Sequence, residues 1–318
     1  MTTAFSALIN KAQQNKSMIP FVVLGGICLF PIISSPVALV LGFTIATLGL
    51  APSQVKIGSL TKKLLALSII GLGFGINVDQ AIQASSANFG LIVGSIFTTL
   101  LMGTILTRLL KVDLKMGHLI ASGTAICGGS AIAAVAPAIK ASNEQASHAL
   151  ATVFILNSIA LFVFPLVGHA LGMSQYDFGL WSAIAIHDTS SVVGAASAYG
   201  DEALQIATTV KLARAMWIVP IAFISALFFK GDSKKITVPL FIFYYCIAIA
   251  IAHFLPQFDT LFQGIFFASK RLLVLCLFLI GCGITISRIK KAGYKPMLLG
   301  VLLWLTIASS VLAYIELI

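Results

Sequence analysis

Windows of about 20 apolar residues recur along this chain from residue 18 to its end. Each is long enough to cross a hydrocarbon core of roughly 30 Å as a helix. That recurrence limits the fold more than any other feature. Of the 318 residues, 59% are hydrophobic and 9% charged, against roughly a quarter charged in a soluble domain. The bilayer is therefore the expected solvent. A chain in lipid must satisfy its backbone internally, and long helices do so within one segment. The expected fold class is an all-α polytopic membrane protein with about 9–11 membrane segments. We expect residues 1–17 to form a short cytoplasmic lead and 18–318 a single integral membrane domain with no soluble module.

Nine segments read as plain membrane helices: roughly 18–34, 36–50, 60–78, 86–108, 145–172, 202–229, 236–254, 260–286 and 295–318. Two more, 117–140 and 177–200, are apolar but carry C-G-G-S and H-D-T-S-S at their centres. Such polar or glycine-rich centres predict discontinuous or re-entrant helices. The sequence leaves both a broken crossing and a hairpin open.

The net charge of +10 reports topology rather than nucleic acid. Lys11, Lys16, Lys56, Lys62, Lys63, Arg108, Lys111, Lys115, Lys230, Lys234, Lys235, Arg288, Lys290, Lys291 and Lys295 fall in alternate loops. The loops between, including those near residues 35, 79, 175, 201 and 257, carry almost no Lys or Arg. This bias predicts a cytoplasmic N-terminus in a multi-pass membrane protein. Five cysteines lie in apolar segments without the paired spacing of a zinc site, so we expect neither metal centre nor disulfide.

Two internal matches point to repeats. Residues 62–77 and 270–285 share 7 identities in 16, and these helices run in opposite directions in the expected topology. Residues 121–138 and 181–198 share 6 identities in 18. Small apolar residues also match by chance, and the two matches do not fit one tandem alignment. Inverted repeats with paired broken helices are a mark of secondary transporters.

The candidate site gathers at the breaks. Around Cys127, Gly128, Gly129 and Ser130, glycine permits close ligand approach, and the amides opening the next half-helix attract anions. Tight helix packing through small residues is the alternative. In His187, Asp188, Thr189, Ser190 and Ser191, the carboxylate is costly in a membrane unless paired or hydrated. Asp188 also suits a purely structural N-cap. His187 is a candidate proton carrier or a structural hydrogen-bond partner. Lys211 and Arg214 lie ten and thirteen residues past Asp201, near mid-membrane, on one helix face. Asp188 can balance one cation, and an anionic substrate is the simplest balance for the other. An ion pair at a helix set deeper is the bland alternative. Asn77 and Thr285, in the matched segments, are candidate coupling residues, although helix packing explains their glycine-rich surroundings as well. Asn157 stands as a lone amide whose role the sequence leaves open.

At G-L-G-F-G-I-N (71–77), C-G-G-S-A-I-A-A-V-A-P (127–137), H-D-T-S-S-V-V-G-A (187–195) and V-K-L-A-R (210–214), the chain resembles the YeiH-type family of bacterial inner-membrane proteins, described as sulfate exporters. The resemblance spans most of residues 20–315. It implies a fold similar to the sodium–proton antiporter and bile-acid symporter superfamily, with inverted repeats and discontinuous helices at the site. It also implies export of sulfate or a related sulfur oxyanion, elevator-like motion and a homodimer.

The function expected is a secondary active transporter for a small anion, using alternating access and coupled to H+ or Na+, with no cofactor. An anion channel is the alternative. Neighbouring residues in one run do not usually converge on a reacting atom, and no H-E-x-x-H or G-x-S-x-G motif occurs, so an enzyme is not expected.

Overall fold

The computed structural model describes residues 18–50, 52, 57–231, 240–283 and 293–317. Every regular element among them is helical. In chain order these are α1 (Met18–Ile27), α2 (Ser35–Thr47), α3 (Ile57–Leu72), α4 (Val78–Ala87), α5 (Phe89–Leu109), α6 (Leu114–Ala125) and α7 (Gly129–Ala138). There follow α8 (Asn143–Ala170), α9 (Gln175–Ala185), α10 (Thr189–Tyr199), α11 (Asp201–Ala215), α12 (Ile218–Phe228), α13 (Phe241–Phe254), α14 (Asp259–Gly283) and α15 (Tyr294–Leu317). Six stretches are long and apolar enough to cross a membrane: 57–75, 89–109, 143–170, 201–228, 256–283 and 294–317. The basic residues Lys11, Lys16, Lys56, Lys234, Lys235, Arg288, Lys290 and Lys291, and the candidate Thr285, lie outside the described residues.

Two boundaries differ from the sequence reading. The first helix stops at Ile27 rather than near 34, and residues 28–33 continue as turns. The segment drawn as a loop near 79 is the ten-residue helix α4. Its V-D-Q-A-I-Q-A-S-S-A sequence is too polar and too short to register as a membrane helix, which is why the hydropathy pattern passed over it.

The described chain falls into two compact units. One holds the residues before Ile76 together with those from Tyr244 to Gly283; the other holds 76–243 and α15. In the first unit, α14 packs on α2 and α3. A Cβ on Gly281 would sit 2.8 Å from Phe43 N and 3.0 Å from Gly42 Cα. Glycine there lets two helix backbones touch. Against α3, Gly71 meets Ser269 and Gly75 meets Phe266, so the two helices run antiparallel. Ser68 Oγ and Cys276 Sγ lie 3.8 Å apart at the crossing. They are equivalent positions in the match between 62–77 and 270–285.

The second unit is built on two helical hairpins. Along a straight path, 25 residues of helix would separate Lys115 from Lys140 by about 37 Å. Instead Lys115 Nζ donates to the Lys140 carbonyl at 2.8 Å. Gln145 Nε2 closes the same base by donating to Asp113 Oδ1 at 2.7 Å, while Asp113 also accepts from Met116 N as the cap of α6. Thus α6 and α7 fold back on each other, with Gly123 of one arm against Ile132 of the other.

The second hairpin, α9 and α10, closes in the same way. The rings of Phe178 and Tyr199 stack with centroids 3.8 Å apart, and Tyr199 Oη donates to Met173 O at 2.6 Å. Gln175 Oε1 accepts the Glu202 amide at 3.1 Å.

Two long helical stretches join the hairpin bases. The 28-residue α8 runs from the base of the first hairpin to that of the second. The stretch α11–α12 runs back, from Glu202 beside Gln175 to Gly231, whose Cα hydrogens abut Ala138. The hairpins therefore enter from opposite ends and their tips meet between. A Cβ on Gly128, at the first tip, would lie 3.1 Å from the His187 carbonyl and 3.3 Å from Asp188 Cα at the second. Helix α15 packs across α9 and α6, and Trp181 Nε1 donates to Ala308 O at 2.9 Å.

Candidate functional site

Each hairpin tip interrupts a helix, and the last carbonyls of the incoming arm lose their helical donors. The two tips solve this differently, for reasons legible in their sequences. At the first tip Gly128 has φ +59° and ψ −119°. This conformation suits glycine and redirects the chain into α7, while the Gly128 amide donates back to the Gly123 carbonyl at 2.8 Å. The second tip has His187 and Asp188 at the equivalent positions, and its chain leaves α9 extended, with Ile186 at ψ 125° and Asp188 at ψ 139°. Its carbonyls are met by side chains from α11. Lys211 Nζ donates to Ala183 O at 3.2 Å and to Ile186 O at 2.8 Å. Arg214 Nη1 donates to Ile184 O. Both cations have 0% exposure, and they stand at the negative end of the α9 dipole, where positive charge is stabilising.

Lys211 and Arg214 lie just before the midpoint of the 28-residue stretch 201–228, so the structure keeps them far from both ends of that stretch. Their partners differ from expectation. No ion pair joins Asp188 to either cation among the described residues. Asp188 Oδ2 accepts instead from Ser190 N at 3.1 Å and from Ser190 Oγ, capping α10. Lys211 nonetheless lies within electrostatic range of Asp188, Cys127 and Arg214.

The other predicted residues gather at the tips. Cys127, Gly128, His187, Thr189 and Ser191 are buried, while Gly129, Ser130, Asp188 and Ser190 are half-exposed. The half-exposed four lie at the N-terminal ends of α7 and α10. Asn77 is exposed immediately before α4, and no role at the tips is assigned to it.

The structure adds Asn157, which sits at the midpoint of α8. Its Oδ1 accepts the His187 amide at 3.0 Å. A lone amide amid I-L-N-S-I-A was the only hint in the sequence. Several buried polar atoms in this region find no partner among the described residues: Arg214 Nε and Nη2, Asn157 Nδ2 and both ring nitrogens of His187. Buried polar groups are nearly always satisfied in folded proteins, and this concentration singles the tips out among the described residues. On the first hairpin, Ser122 Oγ and Thr124 Oγ1 are likewise unpaired. Among the described residues no cluster of three metal-ligating side chains occurs.

The long apolar helices and the two opposed hairpins define a multi-pass membrane protein. Residues 5–300 match the family described as Conserved hypothetical protein 698. A UPF0324 membrane protein of Photobacterium profundum is 68% identical over 93% of this chain and 90% of its own length. A second from Shewanella oneidensis is 63% identical over 98% of both chains, and one from Bacteroides thetaiotaomicron 46% identical over 89% of this chain and 86% of its own. The chain belongs to this UPF0324 family, which is the YeiH family. No solved structure matches it.

Proposed function

We propose that this protein is a secondary active transporter that exports or exchanges a small anion, sulfate or a related sulfur oxyanion, by alternating access across a bacterial inner membrane. The observation that carries this reading is the meeting of two hairpin tips at mid-height beside buried Arg214, whose Nε and Nη2 have no partner among the described residues. Two half-helix N-termini open at the same place, and their partial positive charge adds to that of the cations. Discontinuous helices from paired elements are how secondary transporters build midplane sites. The contact of Ser68 with Cys276, at equivalent positions of antiparallel helices, supports an inverted repeat. The hairpins are then re-entrant, each dipping in from one face. A cytoplasmic N-terminus and a homodimer complete the proposal. So does coupling to H+ through His187 or Asp188, or to Na+ through tip carbonyls.

The test is flux of radiolabelled sulfate and sulfite in proteoliposomes holding the purified full chain. Saturable counterflow that falls at least tenfold in Arg214→Ala supports the reading. Ohmic conductance without counterflow identifies a channel. Unchanged flux in Arg214→Ala overturns the site.

A further inference from the structure

We infer that the anion is held by the side edge of the Arg214 guanidinium, its Nε and Nη2, together with the Nδ2 of Asn157. This deepens the carrier reading above and rests on it.

Arg214 has five N–H donors in a rigid plane. Nη1 is tied to the Ile184 carbonyl. That bond sets the plane of the guanidinium and leaves the opposite edge intact. Nε and Nη2 lie on that edge, buried and without a partner among the described residues. Their two N–H bonds are parallel and spaced to meet two oxygens of one oxyanion.

Asn157 is oriented by a similar constraint. A carboxamide offers an acceptor oxygen and a donor nitrogen, and its neighbours decide which way it faces. Here the backbone N–H of His187 requires the oxygen, at 3.0 Å. The nitrogen must face the other way. It is buried in a residue 2% exposed and has no partner among the described residues. The two side chains are anchored to the same end of α9, at Ile184 O and His187 N, three residues apart. His187 also lies within electrostatic range of Arg214.

The three unpaired atoms of this seat, Arg214 Nε and Nη2 and Asn157 Nδ2, are donors only, and their chemistry selects the ligand class. A ligand with at least two acceptor oxygens and no proton of its own satisfies the fork and the amide together. A halide presents a single centre and engages the fork poorly. A neutral hydroxylated ligand would accept these bonds but leave the Arg214 charge uncompensated in a buried site. The class is therefore a fully ionised oxyanion, of which sulfate is the natural probe.

Sulfate and chloride binding are measured on the detergent-purified full chain by calorimetry at matched ionic strength. Wild type is expected to bind sulfate at least tenfold more tightly than chloride. Arg214→Lys keeps the charge but loses the side edge, and is expected to weaken sulfate at least tenfold and narrow its margin over chloride. Asn157→Asp replaces the donor with an acceptor and is expected to weaken sulfate by a similar factor. It also tests the seat if Arg214→Lys fails to fold. Ser158→Ala, whose hydroxyl bonds back to Phe154 O, is the control and leaves binding unchanged. Sulfate binding as tight in Arg214→Lys or Asn157→Asp as in wild type overturns the seat, while sulfate counterflow by wild type reconstituted into proteoliposomes leaves the carrier reading standing. Absence of both sulfate binding and counterflow in wild type overturns both.

Discussion

Gly128→Ala puts the meeting of the hairpin tips to a quantitative test. Gly128 has φ +59° and ψ −119°, outside even the small left-handed basin that side chains tolerate. Forcing a residue with a Cβ into such a region costs of order 1–3 kcal/mol. The added methyl would also lie 3.1 Å from His187 O and 3.3 Å from both Asp188 Cα and Cβ. Two of those three atoms are backbone, which has little freedom to retreat, so the crowding adds about 1–3 kcal/mol. The lower bound of the sum is about 2 kcal/mol, a fall of roughly 4–8 °C in melting temperature for a unit of this size. Tryptophan fluorescence of the detergent-solubilised protein reads this directly. The matched control is Gly94→Ala in α5, where a Cβ has nothing within 4 Å, and its melting is expected to stay within about 2 °C of wild type. If Gly128→Ala melts with wild type, the tips do not meet at this glycine.

Other perturbations separate the remaining parts of the account. Lys211→Met keeps the length of the side chain but leaves the Ala183 and Ile186 carbonyls without their donor, at about 1–3 kcal/mol each. A clear drop in thermal stability is expected, with partial recovery in Lys211→Arg; no drop refutes the capping role. Asp188→Ala removes the N-cap of α10 and is expected to cost about 0.5–2 kcal/mol. Asp188→Asn, which can still accept from Ser190 N, should lose much less by the same melt. Single cysteines at Lys115 and Lys140, in an otherwise cysteine-free protein, should react with a membrane-impermeant thiol reagent from the same side of the bilayer. Labelling from opposite sides would make 114–140 a crossing rather than a hairpin.

Much of this organisation is legible from spacing alone. Apolar windows locate the long helices, and C-G-G-S and H-D-T-S-S mark where two segments break. The distance of Lys211 and Arg214 from Asp201 places them mid-span. What the sequence hides are the partners. It suggested Asp188 for the cations, yet they bind the carbonyls of Ala183, Ile184 and Ile186, because backbone oxygens carry no signature in a list of side chains. Whether a broken segment crosses or folds back depends on contacts such as that of Lys115 with Lys140, 25 residues away. Asn157 was visible only as an isolated amide, since its value lies in which of its two ends the His187 amide occupies. Helix α4 escaped notice because hydropathy detects what faces lipid, not short polar helices.

The depth of Arg214 is the most direct test of the whole account, read from an electron cryomicroscopy map of the protein in lipid nanodiscs. The guanidinium is expected near the bilayer midplane, between two hairpin tips, with Nη1 on the Ile184 carbonyl. A guanidinium in the headgroup layer, or continuous helices through residues 126–128 and 186–188, would contradict it.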